Sequence, residues 1–242
     1  MMRLSVVIIT FNEEKNIGRC IDSVRNVADE IIVVDSVSTD RTAEIASSKG
    51  AIVKLQPFLG YVEQKNFALE AAANDYVLSL DADEALDATL EASILTEKKN
   101  FSLKGYSMNR CTNYCGHFIR HGAWYPDRKL RLIDKNFAYW GGDNPHDRLI
   151  MKDESPIKHL KGDILHYSYN SIEEHALQNN KFSTISAETY FKRGKRTSVL
   201  KMILHPFWAF FLGYILRGGF RDGFYGLVVA VHVAHLSFLK HA

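Results

Sequence analysis

At 242 residues, with 46% hydrophobic and 24% charged side chains, the chain can bury a full core and is too apolar to be disordered by composition. Its formal charge of +2 is unevenly spread: from Lys192 onward 8 Lys and Arg face Asp222 alone, +7, which leaves −5 on the first 191 residues. An acidic body with a basic tail excludes nucleic acid as the expected partner, since that function would put the basic surface on the fold itself.

The first predicted element is a strand. LSVVIITF (4–11) is a continuous apolar run, the pattern of a parallel strand covered on both faces. No basic, apolar leader with a small-residue cleavage site precedes it, so a secretory signal is not expected. Asn12 is placed to cap a helix in which Ile17, Ile21 and Val24 recur at helical spacing. EIIVVDS (30–36) is the second strand, and Ser38 or Thr39 would cap a helix over 42–50 that Gly50 ends. AIVKLQP (51–57), the helix YVEQKNFALEAAA (61–73), the strand DYVLSLDADE (75–84) and the helix ATLEASILTEKK (88–99) follow. This alternation predicts an α/β fold, a mostly parallel sheet with helices on both faces. Ligands of such sheets bind beyond the carboxyl ends of the strands. Thr10 and Asn12, Asp35 and Ser38, and Asp81 and Asp83 sit at three of those ends.

Past residue 103 the pattern weakens, with strands expected at GYSMNR (105–110), KLRLID (129–134) and GDILHYSY (162–169). The tail holds two uncharged stretches, Met202–Leu216 and Gly223–Leu239, of 15 and 17 residues. Both are shorter than the roughly 20 residues of a spanning helix. Their basic flanks and aromatics predict interfacial helices or a shallow hairpin on an anionic membrane, against the alternative of a helical pair packed on the body. The expected division is therefore a domain over 1–190 and a membrane-associating tail over 191–242. The three cysteines make no disulfide framework. Cys111, Cys115, His117 and His121 are too closely spaced to wrap a zinc ion, and Cys20 reads as core. His232 and His235, one turn apart, read as a polar stripe against the body.

SLDADE (79–84) poses the chemical question. Taken as one strand, it puts Asp81 and Asp83 on the same face, where two carboxylates repel unless a cation or protons intervene. A hard divalent cation shared with substrate phosphates fits that arrangement.

TFNEE (10–14), VVDSVSTD (33–40), QKNFAL (64–69), SLDADE, RHGAWYPD (120–127), KLRL (129–132), LHYSY (165–169) and RGGFRDG (217–223) together carry a resemblance. Their order resembles the inverting family 2 glycosyltransferases of the GT-A fold, in particular lipopolysaccharide core β-1,4-glucosyltransferases. The resemblance implies that Thr10, Asn12, Glu13, Asp35, Ser38 and Lys65 surround the nucleotide of a UDP-sugar. It implies Asp81 on the ribose and metal side, and Asp83 on Mg²⁺ or Mn²⁺ bridging the diphosphate. His166 would complete that metal site. Asp147, in NPHDRL, would be the catalytic base, with Asp143 as the other carboxylate of that loop. His146, Arg131 and Trp124 would lie on the acceptor side, with Arg128 and Lys129 as further phosphate contacts. Relatives often have Gly where this chain has Val37, so ordinary backbone angles or a shifted turn are expected there.

The activity so implied moves a sugar, glucose by resemblance, from a UDP-sugar to a hydroxyl of a lipid-linked or lipopolysaccharide-core saccharide, at the cytoplasmic face of the inner membrane. Two rivals are a non-catalytic nucleotide-sugar-binding protein and a sugar-nucleotide nucleotidyltransferase. The latter would open with a glycine-rich loop after its first strand, and TFNEE has no glycine. The Q-x-x-R-W motif of processive synthases is absent.

Overall fold

The computed structural model describes residues 2–142, 147–192, 194 and 196–242. In chain order it runs β1 (Leu4–Thr10), α1 (Ile17–Val24), β2 (Glu30–Asp35), α2 (Thr42–Ser48), β3 (Ile52–Leu55), α3 (Tyr61–Ala71) and β4 (Tyr76–Asp81). Next come β5 (Glu84–Leu86), α4 (Ala88–Lys98), β6 (Gly105–Tyr114), β7 (His117–Phe118), β8 (Asp127–Asp134), β9 (Ala138–Gly141), β10 (Arg148–Met151) and β11 (Ile157–Tyr169). The chain ends in α5 (Ile172–Lys192), α6 (Val199–Phe210), a π-helical continuation (Phe211–Leu216), a 3-10 turn (Gly219–Asp222) and α7 (Gly223–Leu239).

Two compact units result: Met1–Arg110 with Arg128–His166, and Cys111–Asp127 with Tyr167–Ala242. Residues 191–242, read from sequence as a tail, fall within the second unit. The main sheet has the order β3-β2-β1-β4-β8-β6-β11-β5, with β7 on β6. β3, β2, β1 and β4 are parallel, and β8 joins β4 antiparallel.

In the first unit, β1 shows why an unbroken apolar run makes a central strand. Its Leu4, Val6 and Ile8 point into a core shared with Ile17, Cys20, Ile21 and Val24 of α1 and Leu90 and Ile94 of α4. Val7, between them, points the other way into a core with Ala68 and Leu69 of α3 and Val77 of β4. Period-2 alternation through an apolar strand thus buries both faces at once. The chain turns outward in opposite directions from β1, to β2 on one side and β4 on the other. That is the switch point at which sheets of this kind bind ligands.

The expected caps are corrected. α1 begins at Ile17 behind Asn16 and α2 at Thr42 behind Arg41, neither with a side-chain cap. Asn12 and Ser38 instead tie two loops together: Asn12 N–H donates to Ser38 Oγ and Thr39 N–H to Asn12 Oδ1, both at 2.8 Å. Side chains of this type bond nearby backbone wherever it is offered, so a cap signature and a loop lock look alike in sequence. β4 also stops at Asp81, and Asp83 lies in a turn before β5 rather than on the same strand.

In the second unit Tyr114, Ile119 and Val229 form a small core, flanked by Trp124, Tyr169 and Tyr225. His175 of α5 sits in it, its Nδ1 3.1 Å from the Tyr114 hydroxyl and its ring stacked 4.1 Å from that of His232. Burial lowers the His175 pKa to about 4, which keeps the ring neutral. His232 thus makes the polar contact expected of that stripe, whereas His235 is exposed. The Cys111–His121 cluster disperses: Cys111 Sγ donates to Ile119 O, His117 stacks on Tyr225 and His121 pairs with Asp222.

Val37 resolves the question raised by its missing glycine. It keeps the left-handed turn, at φ 64°, which costs a β-branched residue about 1–2 kcal/mol. Its side chain is half exposed and buries little. Val37→Gly should therefore raise stability by about 0.5–1 kcal/mol after the added unfolded-state entropy, read as a higher denaturant midpoint at unchanged slope.

Candidate active site

A pocket of about 1110 Å³ opens at the carboxyl ends of β1 and β4, just above the roughly 300–1,000 Å³ usual for small-molecule sites. Register brings its walls together. Ile9 pairs with Asp81 across β1 and β4, and Thr10 pairs with Asp35 across β1 and β2. Antiparallel pairing of β11 with β5 sets His166 opposite Glu84. A residue 82 positions downstream is thereby placed beside the SLDADE turn, where His166 Nε2 lies 3.1 Å from Asp83 Oδ2.

The three acids of SLDADE have three different fates. Glu84 is fully buried: it accepts from Asp81 N–H at 3.0 Å and from Arg131 Nη2 at 2.9 Å. Asp81 lies between two cations, 3.1 Å from Lys65 Nζ and 3.3 Å from Arg131 Nη2. Burial alone would raise its pKa, but Lys65 and Arg131 pull it well below the usual carboxylate range. Asp83 faces the pocket with His166.

Lys65, 5% exposed, is the hub. Beyond Asp81 it reaches Asp147 Oδ2 at 2.8 Å, and its Nζ lies 4.4 Å from the ring centroid of Trp140. Arg131 approaches the same ring to 5.4 Å. One indole thus lies against two cations, a favourable arrangement for its π face. The residues either side of Lys65 fan around α3 at successive 100° steps. Gln64 Nε2 donates to Ser36 Oγ at 3.0 Å and to Gln56 O at 3.1 Å, holding the loop after β2. Asn66 exchanges two hydrogen bonds with the Trp140 backbone, at 2.8 and 2.9 Å, and so fixes β9.

Of the residues expected at the site, Thr10, Glu13, Lys65, Asp81, Asp83, Arg131, Asp147 and His166 line the pocket. Thr10 Oγ1 and His166 Nδ1 are buried there without a hydrogen-bond partner among the described residues. Burial raises the Glu13 pKa against the opposing bond from Asn16, and the neighbouring Asp83 adds to the rise. Three residues serve architecture instead of a wall: Asp35 accepts from Ser38 N–H at 3.2 Å, and Asn12 binds the same loop. Arg131 lines the pocket as a buried ion-pair partner, 3% exposed. Trp124 lies in the second unit, stacked on Tyr169 with centroids 5.5 Å apart. His146 and Asp143 lie outside the described residues.

Sequence reasoning missed Trp140, Glu84 as a structural anion, Asn66, and the aromatic rim of Phe11, Phe58 and Tyr61. The only signal was the unbroken QKN triplet on a helix, which bears polar residues in three directions. Among the described residues no group of three or more His, Cys, Asp or Glu is arranged to hold a metal by itself. Asp83 and His166 offer one oxygen and one nitrogen donor, which suits a divalent ion that takes its other ligands from phosphate and water.

Residues 5–101 match the model of glycosyl transferase family 2. LpsC of Rhizobium meliloti, a lipopolysaccharide core biosynthesis glycosyltransferase, is 32% identical over 246 residues, covering 99% of this chain and 90% of LpsC. The chain belongs to glycosyltransferase family 2. An uncharacterized glycosyltransferase of Rickettsia prowazekii is 34% identical over 252 residues, with 100% of this chain and 86% of that protein covered. Among solved structures, glucosyl-3-phosphoglycerate synthase of Mycobacterium tuberculosis, in complex with Mn²⁺, UDP and glucosyl-3-phosphoglycerate, is 26% identical with a TM-score of 0.39. That match covers 46% of this chain and 44% of the synthase. TarS of S. aureus is 17% identical with a TM-score of 0.47, over 76% of this chain and 40% of TarS. As a family 2 enzyme the chain is a glycosyltransferase, and the family match stops before Arg110, Arg131, Trp140, Asp147 and His166, which complete the pocket.

The Glu84–Arg131 pair should be hard to break from one side. Arg131→Met leaves Glu84 buried with only the more distant Arg110, at 3.8 Å, as counter-ion, and should destabilise the protein by about 3 kcal/mol in chemical denaturation. Adding Glu84→Gln should recover part of that loss, because the stranded charge is then gone.

Proposed function

We propose that this enzyme is an inverting glycosyltransferase that moves a sugar, glucose in the first instance, from a UDP-sugar to a hydroxyl of a lipopolysaccharide-core or lipid-linked saccharide. One observation carries the reading: Asp83 and His166, 3.1 Å apart, face the same pocket as a second carboxylate, Asp147, held at 2.8 Å by Lys65. A diphosphate leaving group and a proton-accepting base are the two things a sugar transfer requires, and each has its own carboxylate here. The acceptor class rests on the relation to LpsC.

Asp83 and His166 would hold Mg²⁺ or Mn²⁺, which supplies positive charge to the departing diphosphate. Thr10, whose buried hydroxyl has no partner among the described residues, and Glu13 would contact the nucleoside. The exposed rings of Phe11, Phe58 and Tyr61 would give the base an aromatic platform. Asp147, positioned by Lys65 at 2.8 Å, takes the acceptor hydroxyl proton as the oxygen attacks the anomeric carbon from the face opposite UDP. The C–O bond to UDP breaks as the new one forms, and the anomeric configuration inverts. When Asp147 is neutralised, Lys65 retains Asp81 as its partner and stays oriented.

The test is UDP release from a panel of UDP-sugars, with a lipopolysaccharide-core acceptor, in Mn²⁺ or EDTA. Asp147→Asn should lower kcat by roughly 10²–10⁴-fold with the donor KM little changed, the size of a lost general base. Turnover close to wild type would remove Asp147 from that role. Asp83→Asn should abolish metal-dependent turnover, and activity that survives both EDTA and this substitution rejects the metal assignment.

A further inference from the structure

The last 44 residues carry most of the second unit's exposed large apolar side chains. Val199–Leu216 is a continuous 18-residue helical run of which only 6% is buried. Its Ile203, Leu204, Phe207, Trp208, Phe211 and Ile215 are all exposed and recur every three or four residues, so they form one stripe. Phe220, Phe224, Leu227 and Val231 make a second stripe along the 3-10 turn and α7. By length alone each helix, 18 and 21 residues, could cross a bilayer.

The connections of the hairpin turn exclude a crossing. Asp222 in that turn, 7% exposed, accepts from the N–H groups of Arg120 at 3.1 Å and His121 at 2.8 Å, and pairs with His121 Nδ1 at 2.9 Å. Gly122 N–H donates to Arg217 O at 3.0 Å, on the other side of the turn. The chain reaches the first residue of β8, Asp127, five residues after Gly122, at most about 17 Å away when fully extended. A hydrocarbon core is about 30 Å thick, so the turn cannot lie beyond one while bonded to that loop. The far helix is held as well. Asn179 Nδ2 of α5 donates to His232 O at 3.1 Å, and His175 stacks on His232. α5 carries Glu173, Glu174, Lys181, Glu188 and Lys192, which would not enter hydrocarbon beside it.

We infer that the α6–α7 hairpin lies flat on an anionic bilayer, inserting its aromatic stripe into one leaflet without spanning it. Charge selects this occupant. The segment from Lys192 holds 8 Lys and Arg and one acid, and that acid, Asp222, is engaged with His121. Anionic headgroups attract such a surface, whereas a second copy of the same +7 segment repels it. The inference stands apart from the proposed reaction, since it needs no donor, acceptor or turnover.

The full chain should be floated with preformed vesicles of phosphatidylcholine alone or with about 30 mol% phosphatidylglycerol. Binding should be at least tenfold stronger to the anionic vesicles and weaken in high salt. Phe207→Asp with Phe211→Asp, both at exposed positions, should reduce binding tenfold or more, and Lys201→Glu should reduce it for anionic vesicles only. Equal binding to both vesicle types, or none to either with a dimer in light scattering, overturns the inference. Topology is read with Arg221→Cys in a Cys115→Ser background, beside Glu173→Cys as reference. A membrane-impermeant maleimide added outside the vesicles should label both cysteines alike. Labelling of Arg221→Cys by reagent trapped inside the vesicles would show a spanning hairpin and defeat the proposal.

Discussion

Five mutually paired charges, three of them buried, set the form of the active site. Lys65 and Arg131 are 5% and 3% exposed, Glu84 is 1% exposed, and Asp81 and Asp147 close the set. None can be desolvated alone, because an isolated buried ion costs several kcal/mol. Each therefore demands a partner, and the partners come from α3, β4, β5, β8 and the segment before β10. Satisfying the charges amounts to assembling the pocket. The same requirement leaves Asp83 and His166, outside this closed circuit, facing the cavity.

The QKN triplet shows how few residues that assembly needs. Three neighbours on one helix anchor the loop after β2, the charge circuit and the backbone of β9. Trp140 gains its position from Asn66 and its electrostatic surroundings from Lys65 and Arg131, so its own sequence neighbourhood carries none of that information. A side chain of this kind is fixed by tertiary contacts alone.

That is also the line between what could and could not be read from sequence. The β1–α4 half was legible because apolar runs and helical spacing are local, and the convergence of Thr10, Asp81 and Asp83 followed from the strand order. The geometry of Asp83 was misjudged because a two-residue turn after β4 cannot be told from a continued strand by composition. Glu84 was given no role, because its partner Arg131 is 47 positions away. Asn12 and Ser38 were given caps, although the same side chains close a loop as readily. The ring packing of Trp124 on Tyr169 and Tyr114 left no mark in its own motif. The left-handed Val37 shows a turn outliving the glycine suited to it.

The packing of α7 bears on how this enzyme can be handled. Val229, 3% exposed, shares a core with Tyr114 and Ile119, which precede it by more than a hundred residues. Ending the chain near residue 190 would strip the cover from those rings and leave a fragment stickier than the parent. A water-soluble form is better reached by repainting the outward stripe of α6 with polar side chains and keeping every residue of the hairpin in place.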